Sequence, residues 1–164
     1  VWIVTRIRGL LLVRNFKKRQ LNPIGWVRDV VSAHSWNQRH VLAGDKVSGF
    51  WPVEIAKEGV YRFDVRRWPK ELNHSITASL PANEKSDIYC LGAPIMAKKG
   101  VAIPAIKTRL RVGDHQVEKE IGSEDVSALF EMELQPGPSM IRAWLLDAEG
   151  KEWGAYYIYV SLKE

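Results

Sequence analysis

Two short stretches of this chain combine groups suited to holding a ligand. Ser35-Trp36-Asn37-Gln38-Arg39-His40 places a ring beside two amides and a cation. An indole face stacks on the C–H face of a sugar, and Asn37, Gln38 and Arg39 can bond hydroxyls or an oxyanion. Arg66-Arg67-Trp68 is the second stretch, where guanidinium forks match sulfate-like oxygens. A structural use competes with each. Trp36-Asn37-Gln38 could instead cap a β-sandwich. Arg66-Arg67 could pair with an acid on a neighbouring strand, or with a catalytic domain absent from this chain.

Catalytic groupings are harder to find. The chain has no Gly-x-Ser-x-Gly elbow, phosphate loop, dinucleotide glycine fingerprint or His-Glu-x-x-His motif. His34 and His40 stand six apart in a loop-like region, and His115 sits in a predicted turn. These read as surface histidines, so no metal site is expected. Cys90 has no basic neighbour in sequence to activate it. The acid pairs Glu118/Glu120 and Glu131/Glu133 fall on the wet faces of predicted strands, without the burial that raises a catalytic carboxyl. No catalytic residue is assigned.

The segments that position these groups read as strands. In Val60 to Trp68, Tyr61, Phe63 and Val65 alternate with Arg62, Asp64 and Arg66. Side chains on a strand point to opposite faces with period two, so one face is buried and the other wet. Phe50–Ile55, His74–Leu80, Ala105–Val112, Gln116–Ile121, Ser127–Leu134, Ser139–Leu146 and Ala155–Leu162 are further strand candidates. Residues 82–100 are loop-like. Strand 139–146 is apolar on both faces, which predicts a central position. Trp51, Tyr61, Phe63 and Trp144 are expected to be mainly buried. About eight strands at roughly ten-residue spacing, without a convincing amphipathic helix, predict an all-β antiparallel sandwich of jelly-roll-like form.

Composition bounds the rest. With 164 residues, 46% of them apolar and seven of them Trp, the chain suits one globular domain rather than a disordered segment. The net charge of +5 is local. Residues 1–28 hold seven Lys/Arg and no acid, while the other 136 residues hold 17 Lys/Arg against 19 Asp/Glu. Nucleic-acid binding needs a clustered basic face on the folded body, which this distribution does not provide. Residues 1–30 are read as a basic lead-in and 31–164 as the sandwich. Leu10–Val13 is too short for a secretory core, so no signal peptide is read there. No stretch reaches the roughly 18 apolar residues of a membrane span. Because it begins with Val rather than Met, the chain is expected to be a fragment or an incomplete gene product.

A family pattern runs through residues 31–164. Its blocks are Trp36-Asn37-Gln38, Gly49-Phe50-Trp51-Pro52-Val53-Glu54, Gly59-Val60-Tyr61, Arg66-Arg67-Trp68-Pro69, Ile103-Pro104-Ala105, Thr108 to Gly113, Arg142 to Asp147 with Gly150, and Gly154 to Val160. Their order resembles the C-terminal β-sandwich domain appended to bacterial arylsulfatase-like enzymes. The resemblance implies a periplasmic or extracellular parent that hydrolyses sulfate esters, often on sulfated glycans. In such parents a Cys/Ser-x-Pro-x-Arg motif supplies a formylglycine nucleophile beside an Asp-rich calcium site. Neither motif is present in this chain, and Cys90-Leu91-Gly92-Ala93-Pro94 does not match the first. No cofactor is therefore expected in this chain. The implied role is a non-catalytic domain that supports a sulfatase catalytic domain in the same polypeptide and contacts a sulfated glycan. The alternative is an independent carbohydrate-binding or protein-interaction sandwich.

Overall fold

The computed structural model describes residues 40–82 and 99–163 in full. It also describes the backbone of 6–7, 9–10, 18–21, 27–28, 38–39, 89–90 and 93–94. In chain order the elements are β1 (Arg6–Ile7), β2 (Gly9–Leu10), β3 (Lys18–Leu21), β4 (Val27–Arg28), α1 (Gln38–Ala43), β5 (Gly49–Ile55), β6 (Gly59–Arg66), β7 (Tyr89–Cys90), β8 (Ala93–Pro94), β9 (Lys107–Val112), β10 (His115–Glu120), β11 (Ala128–Leu134), β12 (Gly137–Leu146), β13 (Glu152–Gly154) and β14 (Tyr157–Leu162). A 3₁₀ turn at Lys70–Leu72 follows β6.

Two antiparallel sheets face each other. One runs β10-β9-β12-β5-β4, with β13 pairing β12 beyond the end of β5. The other runs β11-β6-β14-β3. The chain crosses between sheets at β3–β4, β5–β6, β6–β9, β10–β11, β11–β12 and β13–β14, which gives the sandwich its jelly-roll-like course. β3 pairs β14 and β4 pairs β5, so the sheets also draw on residues before position 31.

Alternation decides what enters the core. On β6, Tyr61, Phe63 and Val65 point inward, in register with Met132, Phe130 and Ala128 of β11 and with Leu162, Val160 and Ile158 of β14. The facing sheet contributes the row Trp51–Ile141–Val112 and the pair Ala143–Leu110. Trp51, Tyr61 and Phe63 are essentially inaccessible. β12 is central, as its two apolar faces require. Trp144 is also buried but lies on the opposite face of β12 from this core. β9 and β10 are joined by the two-residue turn Gly113-Asp114, where Gly113 has φ +58°, the positive value that a tight hairpin turn asks of glycine.

Two local expectations need correction. Residues 74–80 do not form a strand. Ser75 and Thr77 spend their hydroxyls on the Ser123 carbonyl, and the Ile76 N–H bonds the Asp125 carbonyl at 2.8 Å. The segment is a turn, because side-chain bonds of this kind compete with a ladder. The loop-like region around His40 contains a short helix, α1, whose Val41 and Leu42 are buried.

Among the described residues of the main core, one buried polar group lacks a partner. Thr108 is fully buried on the inner face of β9, and its Oγ1 has no hydrogen-bond partner among the described residues. A lone buried hydroxyl costs stability that an apolar group of the same shape does not. Thr108→Val is therefore expected to leave stability unchanged or raise it by up to about 1 kcal/mol in urea denaturation. A loss of that size would reveal a partner for the hydroxyl.

Candidate functional site

Gln38–His40, the described end of the first stretch, and Trp68 of the second lie toward one corner of the sandwich. The buried residues of α1, Val41 and Leu42, pack with Trp68, Leu80, Tyr156 and Tyr157 in a satellite cluster separate from the main core. α1 has only six residues, too few for a helix to persist in water without tertiary contacts. Gln38 and Arg39 form its first residues, with side chains outside the described set. Trp36, Asn37 and His34 lie outside the described residues, as does the side chain of Cys90.

Arg67 sits at the centre of the corner with no exposed surface. Its guanidinium donates to three main-chain carbonyls, those of Val41 and Ala78 at 3.4 Å and that of Val101. Its Cζ lies 4.3 Å from the centre of the Trp68 ring. No carboxylate pairs with it among the described residues. Carbonyl dipoles and a ring quadrupole face the charge instead. Burial pulls the guanidinium down to about 10, opposed by the nearby Tyr156 side chain, so Arg67 is still a cation at neutral pH. Burial pushes the Tyr156 hydroxyl up, and it stays a donor, bonded to the Asp45 carbonyl at 2.8 Å. Arg67 Nε and Trp68 Nε1 have no hydrogen-bond partner among the described residues. Trp68 is 3% exposed, so neither residue presents appreciable surface to a ligand in this conformation.

Packing here is close. A Cβ on Gly100 would meet the Trp68 ring and the Leu80 Cβ at 3.0 Å. Glycine is required by this approach, since backbone and a buried ring cannot both give way.

Arg66 points to the outer face of β6 and is tied there. Its Nε bonds Asp64 Oδ1 at 2.9 Å, and Lys70 Nζ lies 2.8 Å from Asp64 Oδ2. Lys70 also sits 4.4 Å from the centre of the Tyr159 ring, and its backbone N–H donates to the Tyr159 hydroxyl at 3.0 Å. Asp64 was not singled out in the sequence, although its i, i+2 spacing from Arg66 puts both on one strand face. A carboxylate gripped by two cations serves as an anchor.

Glu118 and Glu131 are also ion-paired. Glu118 accepts from Arg109 at 2.6 Å and pairs Lys107 at 3.1 Å. Glu131 pairs Arg62 at 2.9 Å and Lys163 at 3.0 Å. Hydrogen bonds from Arg109 to Glu118, and from Lys163 to Glu131, hold both carboxyls below their usual range. A general acid needs a shift in the opposite direction. Among the described residues no group of three His, Cys, Asp or Glu is placed to hold a metal ion. Among them, too, no helix is long and apolar enough to cross a membrane.

The lowered carboxyl of Glu118 has a pH consequence. A carboxyl depressed by folding adds stability above its unfolded value near pH 4.3, and loses that contribution as pH falls through its folded value. The stability gap between the wild type and Glu118→Gln should stay constant from pH 7 to about 5 and close below about pH 4. Urea midpoints across that range measure it. A gap unchanged at pH 3 would show that the ion pair is not its source.

No family model matches the chain, and no curated protein does. Among solved structures, the crystal structure of a ruminal GH26 endo-beta-1,4-mannanase overlays with a TM-score of 0.40 and 8% sequence identity. The overlay covers 92% of this chain and 27% of the mannanase chain. A likeness that loose carries no argument about activity.

Proposed function

We propose that this chain is a non-catalytic β-sandwich module of a sulfatase-like protein that packs on a catalytic domain of the same polypeptide. One observation supports this reading above others. The chemically capable blocks of the family pattern are used internally, with Arg67, Trp68 and Tyr156 directed into one corner and Arg66 locked to Asp64. Such a use suits a scaffold. The reading brings with it a periplasmic or extracellular location and leaves calcium and the nucleophile to the catalytic domain.

Glycan contact, in this proposal, falls to Trp36, Asn37, Gln38 and Arg39, with Arg66, Arg67 and Trp68 taking part only where the packed corner opens to a ligand. Titration with dextran sulfate, followed by Trp fluorescence, compares the wild type with Trp36→Ala and Arg67→Ala. Weaker binding in folded variants supports the contact, and unchanged affinity in both removes it.

The module reading is tested by the gene immediately upstream of Val1. An in-frame Cys/Ser-x-Pro-x-Arg motif is the expected finding. A start codon followed directly by a signal peptide would favour an independent carbohydrate- or protein-binding sandwich instead. The purified chain is also expected to leave an aryl sulfate intact. Turnover that survives repurification and disappears in Cys90→Ala would overturn the assignment.

A further inference from the structure

The buried Arg67 lies at a boundary between two cores. The main core fills the space between the sheets, while Val41, Leu42, Trp68, Leu80, Tyr156 and Tyr157 form a second cluster at the corner. We infer that α1 with residues 78–80 and 99–101 forms one local opening unit, clasped to the sandwich by Arg67, that can detach while the two sheets stay folded.

The bonding pattern carries this. The three segments hold one another through main-chain bonds. Leu80 and Gly100 exchange bonds at 3.2 and 2.9 Å, and the Val101 N–H donates to the Leu42 carbonyl at 2.8 Å. None of these bonds belongs to either sheet. The Arg67 side chain, at the end of β6, then reaches one carbonyl in each segment: Val41, Ala78 and Val101. A single fork thus closes three pieces of chain onto one strand. Val41 also lies in the last turn of α1; its carbonyl already accepts from the Gly44 N–H at 3.2 Å, and the Arg67 cation adds a second bond at a helix end that favours positive charge.

The attachments on the far side of the unit are hinge-like. The Trp153 indole N–H donates to the Gly44 carbonyl at 2.9 Å, and Tyr156 holds Asp45. Gly44 itself has φ +65°. On the other two segments, Ile76 and Ile103 are anchored in the main core. Rupture at Arg67, with Val41, Leu42 and Leu80 leaving Trp68, Tyr156 and Tyr157, therefore frees the unit between points that remain fixed. Such sub-global openings occur where a group of segments bonded to one another docks on the rest through a small separate cluster.

Native-state hydrogen exchange on the whole chain, at rising low urea, tests the inference. In the wild type, the amides of Leu80, Gly100 and Val101 should exchange together. They should exchange at least about tenfold faster than the slowest amides of the β6–β14 and β9–β12 ladders, with a weaker urea dependence. Arg67→Lys keeps the charge but loses the fork. It should speed those three amides by about a further tenfold and leave the ladders unchanged. Equal rates and urea slopes for corner and ladders in the wild type would make the domain one cooperative block. Three unrelated rates would mean separate frayed loops. Parallel acceleration of the ladders in Arg67→Lys would place Arg67 in the global core. Each of these overturns the proposal, and the first two need no variant.

Discussion

Replacing Trp51 by alanine is expected to cost about 4–5 kcal/mol, the upper part of the range for large aromatic truncations in a close-packed core. Trp51 is 1% exposed on β5 and stands in register with Ile141, which in turn pairs with Val112. Deleting the indole leaves a void bounded by strands from one sheet and the packed side chains of the other. Strands held by ladders on both sides cannot collapse into it. A domain of this size has about 5–15 kcal/mol in total, so the variant should sit near its unfolding threshold at 37 °C. Urea denaturation at low temperature measures the loss. Met140 supplies the contrast. It pairs with Pro52, one residue along β5 from Trp51, but faces outward and is 47% exposed. Met140→Ala should change stability by less than about 0.5 kcal/mol. Similar losses at the two positions would mean that the inward and outward faces of β5 and β12 had been exchanged.

That contrast marks what could be read in advance. Period-two alternation distinguishes Tyr61, Phe63 and Val65 from Arg62 and Asp64 because a pleated strand has only two faces. Turn residues such as Gly113-Asp114 then set where strands stop. Residues 74–80 defeat the same reasoning. Ile76 and Leu80 are buried as strand residues would be, but Ser75 and Thr77 bond a carbonyl 46 to 48 residues away. Local pattern holds no trace of such a partner. α1 is missed for a related reason. Six residues carry too little helical periodicity to register, and the helix depends on Leu80, Tyr156 and Arg67 from distant parts of the chain.

The candidate site was legible as two sets of residue types and not as one place. Trp36–Arg39 and Arg66–Trp68 read as separate ligand stretches. The bond from Arg67 to Val41, 26 residues apart, is what relates α1 to the end of β6. Sequence also cannot distinguish an arginine that faces solvent from one whose counter-charge is a ring of carbonyls. Continued past Tyr61, Phe63 and Val65, the period-two alternation puts Arg67 on the inward side, but the pattern names no partner for a guanidinium there.

Trp144 offers the second large effect, through a different kind of cover. It is 8% exposed, yet it lies on the outer face of β12, away from the main core. Arg109 of β9 stands opposite it in register. The Arg109 side chain bonds Glu118 of β10 and Glu152 of β13, each at 2.6 Å. β10 and β13 lie on opposite sides of the β9–β12 pair, so the guanidinium crosses over β12 at the level of Trp144 and Leu146. Its apolar stem and planar head can cover a ring while the charge stays paired. Trp144→Ala should therefore cost about 3 kcal/mol, near the lower end for a buried tryptophan, because charged side chains on the surface can settle into the gap more easily than strands can. Arg109→Ala should cost about 1 kcal/mol and shift Trp fluorescence to the red as Trp144 becomes wet. A double-mutant cycle should find about 0.5–1 kcal/mol of coupling between the two residues, since contacting residues are not additive. Additivity within error, with unchanged fluorescence in Arg109→Ala, would mean that something other than the ion-pair strap shields the ring.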